Sequence, residues 1–216
     1  MKFSTRRART AWMIFGWSVV AGAILSIAFY GMGRWVRQSW LAATPGRLYG
    51  AELNPPRPAV GFTLNGSDPR THTLDEFRGQ VVLLYFGYSA CPEDCLAMLA
   101  KLAAARDRLG TQSSQVQVLF ITIDPAQDTP ERLAQALAGY GEGFLGLAGK
   151  AAETKEIANN YDVSYQDAPS GEIKHTPLAM LIDQAGFSRA VYPAGIAVDE
   201  LAADLRQVLN EDAQVP

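Results

Sequence analysis

The chain has 216 residues, a net charge of −3 and 48% hydrophobic residues. This length suits one soluble domain plus a further segment, because single domains cluster near about 100–150 residues. The near balance of charge argues against a nucleic-acid-binding protein, which normally has a clear basic excess. An aromatic content of 10% allows a substantial core, so a largely disordered chain is excluded.

The N-terminal region predicts a membrane anchor. Residues 10–33 contain no charged side chain, and this stretch is long enough to cross the roughly 30 Å hydrocarbon core of a bilayer. Basic residues are more numerous in residues 1–9 than just after the span, where Arg34 and Arg37 lie. Residues 1–9 are therefore predicted to be a cytoplasmic tail. The alternative is a cleaved signal peptide, but the apolar run is too long and lacks a clean A-x-A site.

A single span with this orientation exports everything after residue 33. In a bacterium, the predicted location is the inner membrane with the soluble domain in the periplasm, where disulfides persist. Residues 34–58 contain several prolines and glycines without sustained periodicity, which predicts a partly stiff tether. Residues 59–216 are predicted to form the domain.

Strand and helix signals alternate from residue 59 onward. Val81–Phe86 is a continuous apolar run, typical of a strand buried on both faces, and Val116–Ile123 is predicted to be a second buried strand. The other predicted elements are helices at 92–109, 131–140, 151–161 and 198–209, a short strand at 144–147, and a hairpin of 178–182 and 188–192. This alternation predicts an α/β domain with a largely parallel sheet, covered on both faces and closed by an antiparallel hairpin at one edge.

The only two cysteines, Cys91 and Cys95, follow directly on the first buried strand and open the next helix. Pro92 suits the first helical position, which places Cys91 near the N-cap, where the helix dipole favours a thiolate. Cys95 lies one turn later on the same face, so the pair can close a disulfide or hold one metal ion. We predict a working redox dithiol at a surface turn. The alternatives are buried inert thiols and a structural disulfide, whose short loop would contribute only about 2 kcal/mol.

The chain has only two histidines. His175 directly precedes the predicted strand 178–182, and its loop is expected beside the cysteine turn because βαβ units bring strand ends of one edge together. His72 lies in a polar stretch and is predicted to be solvated. Cys91, Cys95 and His175 would form an S₂N donor set, which suits copper better than a structural zinc ion with four protein ligands.

Three sequence blocks occur in an order that indicates a known family. They are Phe86-Gly87-Tyr88-Ser89-Ala90-Cys91-Pro92-Glu93-Asp94-Cys95, Ile123-Asp124-Pro125-Ala126-Gln127-Asp128-Thr129-Pro130, and His175-Thr176 ahead of Leu181-Ile182-Asp183. The blocks resemble the patterns F-G-[FY]-[ST]-x-C-P-x-x-C, D-P-x-x-D-T-P and H-[ST] of the SCO/SenC family. These are copper-handling, thioredoxin-like proteins involved in cytochrome c oxidase assembly. The resemblance covers roughly residues 55–210, and the anchor and tether fit it as well.

The resemblance implies a thioredoxin-like mixed sheet flanked by helices. It also implies that Cys91, Cys95 and His175 are the ligands of copper, as Cu(I), Cu(II) or both. The partner that it implies is the dinuclear copper site of cytochrome c oxidase subunit II, as recipient of copper or of reducing equivalents. Two activities stay open: a copper metallochaperone, and a thiol-disulfide oxidoreductase in which Cys91 and Cys95 are the redox dithiol without an obligatory metal.

Three positions depart from the family pattern. Leu96 follows the second cysteine, where proline is usual, and Lys174 precedes the histidine, where an acidic residue is common. Pro177 lies where ordinary thioredoxin-like proteins carry a cis-proline. Asp124 and Asp128 allow two interpretations. They are carboxylates that orient the site or dock a partner, or Asp124-Pro125 ends a strand and Asp128-Thr129-Pro130 caps the helix that starts at Glu131. The second interpretation is favoured, because N-cap chemistry explains the pattern.

Overall fold

The fold is given by a computed structural model that describes residues 47–91, 93–167 and 173–212. The predicted cytoplasmic tail at 1–9, the predicted anchor at 10–33 and the first part of the predicted tether lie outside these residues. Within the described part of the chain, no helix combines the length and the apolar character that a membrane span requires.

The described residues form strands and helices that alternate along the chain. The strands are β1 (Ala51–Pro58), β2 (Thr63–Gly66), β3 (Thr71–Thr73), β4 (Val81–Gly87), β5 (Val116–Thr122), β6 (Phe144–Ala148), β7 (Tyr165–Asp167), β8 (Ile173–His175), β9 (Leu178–Ile182) and β10 (Phe187–Pro193). The α-helices are α1 (Glu93–Asp107), α2 (Pro130–Leu137), α3 (Ala151–Asn160) and α4 (Val198–Asp212). Eight strands form one sheet in the order β1-β10-β9-β4-β5-β6-β2-β3, and β7 pairs with β8 in a separate hairpin.

The sheet is mixed rather than largely parallel. In the described sheet, β4, β5 and β6 run parallel to one another, and antiparallel pairs flank them on both sides. The predicted hairpin of β9 and β10 is present, but β1 lies outside it, and β2 and β3 form a second hairpin at the opposite edge. These additional strands escaped prediction because they are short or exposed, and so lack the apolar runs by which buried strands are recognised.

β4 and β5 form the centre of the core. Every residue of β4 is buried, and so is every residue of β5 except the half-buried Gln117. The prediction of strands buried on both faces is therefore confirmed. Two helix contacts support this core, since α1 packs against α4 and α2 packs against β6.

Residues 51–58 form an edge strand, which corrects the tether predicted over residues 34–58. β1 pairs antiparallel with β10, and Leu48 before it is buried. The buried carboxylate of Asp204 accepts hydrogen bonds from the N–H groups of Tyr49 and Gly50, both at 3.0 Å. The prolines that suggested a tether are compatible with β1, because an edge strand tolerates the missing N–H of proline. The folded unit accordingly begins at Leu48.

His72 is buried, although its polar neighbours predicted solvent exposure. It pairs with Leu64 across the β2–β3 hairpin, and both residues are 2% exposed, because directly opposite residues share one face of a sheet. Its Nε2 lies 2.8 Å from a carboxylate oxygen of Asp68, and its Nδ1 lies 3.2 Å from one of Glu76. The polar neighbours in the sequence thus provide the hydrogen bonds that allow the ring to be buried.

Candidate metal and redox site

The pairing of β4 with β9 brings the two halves of the predicted site together. These strands run antiparallel with Tyr85 opposite Ala179, so the start of β9 lies beside the end of β4. Cys91 follows β4, and His175 ends β8, just before β9. One ligand atom each from Cys91, Cys95 and His175 lies within 4.8 Å of the other two. The structure therefore collects the three residues that the sequence singled out.

Cys91 and Cys95 form a disulfide, with their Cα atoms 5.8 Å apart. The two residues are 7% and 2% exposed, which differs from the predicted surface position. The difference arises because both cysteine side chains belong to the hydrophobic core. As a disulfide the sulfurs are not metal ligands, since metals bind the thiolate form. Reduction must therefore precede any metal binding here.

Gly87, the last residue of β4, allows Cys95 to lie directly against the sheet. A Cβ atom at this position would be 2.9 Å from Cys95 Sγ and 2.8 Å from the ring of Phe120. Both distances are well inside ordinary van der Waals contact. The glycine of the first sequence block therefore has a steric role, because any side chain would displace the sulfur or the ring.

Asp128 holds the loop that leads to Cys91. Its buried side chain accepts a hydrogen bond from the Ser89 N–H at 2.9 Å and one from the Thr122 hydroxyl at 2.5 Å, both on Oδ2. These two bonds connect the cysteine loop to the end of β5. Of the two interpretations of Asp128, the orienting carboxylate fits this geometry better, although it contacts the loop and not a candidate ligand.

Within the predicted capping segment Asp128-Thr129-Pro130, the cap residue is Thr129. Thr129 is the N-cap of α2, and its hydroxyl oxygen accepts the N–H of Arg132 at 3.3 Å. Asp124 lies two residues after the end of β5, and its N–H donates to the hydroxyl of Thr122 at 3.0 Å, as expected for a residue near a strand end. The predicted cap by Asp128-Thr129-Pro130 is thus confirmed, and β5 ends shortly before Asp124-Pro125 as predicted.

The imidazole of His175 has one nitrogen without a hydrogen-bond partner among the described residues. Its Nδ1 lies 3.4 Å from the carbonyl oxygen of Ile173, and because a carbonyl only accepts, Nδ1 carries the proton and Nε2 the lone pair. Among the described residues, the buried Nε2 has no hydrogen-bond partner. Burial lowers the pKa of His175, and the bond to the Ile173 carbonyl partly opposes this shift. The neutral ring with a free Nε2 is the form in which histidine binds a metal.

The departures from the family pattern lie at or beside the site. Leu96, next to Cys95, is 43% exposed, and Lys174, next to His175, is also exposed. The peptide bond before Pro177 is trans. An exposed apolar side chain and an exposed cation therefore flank the buried donor atoms.

The family assignment follows from a match over nearly the whole described domain. The SCO1/SenC family model matches residues 51–210. The chain belongs to the SCO1/SenC family. The match begins at the first residue of β1, in agreement with the packing of that strand on the domain.

This SCO1/SenC chain is similar to relatives from animals and bacteria. It is 31% identical over 159 residues to "Protein SCO2 homolog, mitochondrial" of Bos taurus, which covers 69% of this chain and 60% of the bovine protein. It is 32% identical over 131 residues to the "SCO2-like protein" of Rickettsia felis, which covers 58% of this chain and 64% of that protein. The chain thus matches less than two thirds of the length of these curated relatives.

Solved structures of the family share the fold. The structure of Arabidopsis thaliana ScoI with copper bound superimposes with a TM-score of 0.66 at 27% identity, covering 70% of this chain and 98% of that one. Apo Sco1 of Thermus thermophilus gives a TM-score of 0.64 at 30% identity, covering 80% and 100%. These similarities confirm the predicted mixed α/β, thioredoxin-like fold.

Proposed function

We propose that this SCO1/SenC protein binds copper through Cys91, Cys95 and His175 and delivers it during cytochrome c oxidase assembly. The observation that carries the proposal is the approach of two sulfurs and one imidazole nitrogen to within 4.8 Å of one another. Two thiolates and one imidazole are soft or intermediate ligands that suit copper. The copper-bound state of the Arabidopsis thaliana relative supports the same metal for this chain.

Copper loading requires that the disulfide first be reduced. Two electrons and two protons convert the Cys91–Cys95 disulfide to two thiols, and a protein dithiol of the same compartment is a reductant of the right chemical class. The thiols then release protons as the metal binds, and Nε2 of His175 is already deprotonated. The cysteine pair thus links copper binding to the redox state of the compartment.

We propose the dinuclear copper site of oxidase subunit II as the recipient and the membrane surface as the place of transfer. The likeness of the sequence blocks to proteins of oxidase assembly supports the recipient. The apolar run 10–33 supports an anchor, with the domain on the periplasmic side of a bacterial inner membrane. Since β1 belongs to the domain, the predicted tether shortens to residues 34–47, and a coil of that length would have a root-mean-square span of about 20 Å.

A thiol-disulfide oxidoreductase is the second candidate, and the disulfide at the start of α1 favours it. In this activity the Cys91 thiolate attacks a client disulfide and forms a mixed disulfide with one client sulfur. Cys95 then attacks the Cys91 sulfur, which closes the Cys91–Cys95 disulfide and releases the client dithiol. Two electrons pass from this protein to the client, so a client made ready for copper is a consistent substrate.

One titration separates the two candidates. The full chain in detergent is reduced, kept anaerobic and titrated with Cu(I) against a chromophoric chelator. His175→Ala should weaken copper binding by more than about tenfold and leave disulfide exchange with a model dithiol largely intact. His72→Gln removes the other imidazole of the chain and serves as the control with unchanged affinity. Unchanged copper affinity in His175→Ala would remove the metallochaperone and leave the oxidoreductase.

A further inference from the structure

We infer that Tyr88 is a positioning residue that holds His175 against the cysteine pair. This inference deepens the proposed function and rests on it. Tyr88 is buried, directly follows Gly87 at the end of β4, and precedes the cysteine turn. Its main chain contacts the cysteine loop, and its side chain contacts the strand that carries His175.

The main chain of Tyr88 shapes the turn that carries Cys91. Its carbonyl oxygen accepts the N–H of Cys91 at 3.1 Å. The next N–H along the chain, that of Ser89, donates to the Asp128 carboxylate at 2.9 Å. The position of Tyr88 is therefore fixed by β4 on one side and by the hydrogen bond of Ser89 to Asp128 on the other. Tyr88 can then hold the neighbouring strand β8 in place.

The side chain of Tyr88 contacts the strand of His175 in two ways. Its hydroxyl oxygen accepts the N–H of Ile173 at 3.4 Å. Its ring meets the ring of His175 edge to face, with centroids 6.1 Å apart and planes at 76°, a favoured geometry for aromatic pairs. Ile173 extends the first contact, since its carbonyl oxygen accepts the Nδ1–H of His175. Tyr88 thus acts on the imidazole directly and through the main chain of Ile173.

The main sheet does not provide this support by its own hydrogen bonds. In the described residues, β8 pairs with β7 in a hairpin that is separate from the eight-stranded sheet. The backbone hydrogen bonds that pair β4 with β9 therefore do not extend to His175. Contacts outside the eight-stranded sheet then help to hold the imidazole near the sulfurs, and the Tyr88 side chain supplies two of them.

A double-mutant cycle with copper affinity as the readout tests the role of Tyr88. If Tyr88 acts through His175, the effects of substituting the two residues on copper affinity are not additive. Tyr88→Leu removes ring and hydroxyl and should weaken Cu(I) binding about 10- to 100-fold, the usual effect of losing a group that orients a metal ligand. In a His175→Ala background the same substitution should change affinity by less than about twofold. Equal weakening in both backgrounds would overturn the inference, since Tyr88 would then support the fold and not the histidine.

The reduced, copper-free protein provides a second measurement that does not depend on metal. Tyr88→Phe keeps the ring and removes the acceptor of the Ile173 N–H, so hydrogen exchange of that amide should become about two- to tenfold faster. The ring resonances of His175 should shift in the same variant. Tyr161→Phe is the matched control, because Tyr161 is also buried and donates its hydroxyl to the Val60 carbonyl, a bond in which neither Ile173 nor His175 takes part.

The two measurements keep the inference separate from the proposed function. If the wild-type chain binds no copper, or binds it equally well without His175, the proposed function fails while the exchange measurement still decides the role of Tyr88. If Ile173 exchange and the His175 resonances are the same in Tyr88→Phe and wild type, the inference fails whatever the copper result. Tyr88→Phe retains the buried ring, so this test remains open should Tyr88→Leu not fold.

Discussion

At the residue scale, a missing side chain and an unpaired nitrogen matter at this site as much as the hydrogen bonds do. Gly87 omits a side chain, so Cys95 and Phe120 can pack against the end of β4. His175 leaves Nε2 unpaired, because its other nitrogen binds the Ile173 carbonyl. Asp128, in contrast, uses one oxygen for two hydrogen bonds and connects the cysteine loop to β5. Together these residues place the donor atoms before any metal arrives.

Substitution of Gly87 by alanine should disturb the cysteine pair. The added Cβ would overlap Cys95 Sγ and the Phe120 ring, and overpacking of this kind typically destabilises a protein by about 1–3 kcal/mol. Urea denaturation and a redox titration of the disulfide would measure the effect. Gly139→Ala is the control, because a Cβ there meets nothing within 4 Å. Equal stability and equal potential in the two variants would contradict the steric role.

Removal of the Asp128 carboxylate should loosen the cysteine loop. Asp128→Ala leaves the Ser89 N–H and the Thr122 hydroxyl without their acceptor, and each unsatisfied buried group costs about 1–3 kcal/mol. We expect lower stability and faster hydrogen exchange at Ser89, measured by denaturation and by NMR. In Asp124→Ala the main-chain bond to Thr122 is kept, so exchange at Ser89 should stay as in wild type. An effect of similar size in both variants would argue against a specific loop anchor.

At the level of elements, β1 and the β7–β8 hairpin are the parts whose position depends on contacts outside the central strands. β1 lies at the sheet edge, and the residues before it are held by Asp204 of α4. Tyr192 of β10 donates its hydroxyl to the same carboxylate at 2.9 Å. One buried carboxylate thus joins the beginning of the domain, β10 and the last helix.

Asp204→Ala should release this N-terminal segment. The substitution leaves the N–H groups of Tyr49 and Gly50 and the Tyr192 hydroxyl without an acceptor, so we expect a loss of about 2–3 kcal/mol in the free energy of unfolding. Urea denaturation and hydrogen exchange of the β1 amides would show it. Asp199→Ala removes a solvent-exposed partner of Arg108 and should cost less than about 1 kcal/mol. If β1 exchange is unchanged in Asp204→Ala, other contacts hold the segment.

At the level of the whole molecule, most of the hydrophobic core consists of residues outside the site. The buried centre consists of β4 and β5 with the helices packed around them. The disulfide closes a very short loop, so its loss costs about 2 kcal/mol at most on the loop-entropy formula. We therefore expect the protein to stay folded when this bond is reduced, as the proposed redox-dependent copper binding requires.

Reduction and copper should shift stability in opposite directions. The reduced protein should lose up to about 2 kcal/mol relative to the disulfide form. Cu(I) at a free concentration one hundred times its dissociation constant should then add about 2.7 kcal/mol. Anaerobic thermal unfolding would measure both changes, with His175→Ala as the variant in which copper adds much less. A copper-induced rise of equal size in His175→Ala would show that the metal stabilises the protein at another position.

The amino-acid sequence by itself determined the elements and residues whose signals are local. These elements are β4, β5, the helix after Cys91 and the hairpin of β9 and β10. They are recognisable because a buried strand or helix has a run or a periodic pattern of apolar residues along the chain. The same holds for the choice of Cys91, Cys95 and His175, which rests on residue type and on the order of short blocks.

Only the tertiary structure decided the features that depend on which distant segments meet. The burial of His72 follows from its place opposite Leu64, the Asp128 hydrogen bond joins two loops, and β1 is a strand only because β10 lies beside it. The burial of the cysteine pair and the contact of Tyr88 with His175 also depend on segments that are distant in the sequence. Strand register and the packing of segments far apart in the chain set these contacts, and local composition carries little information about them.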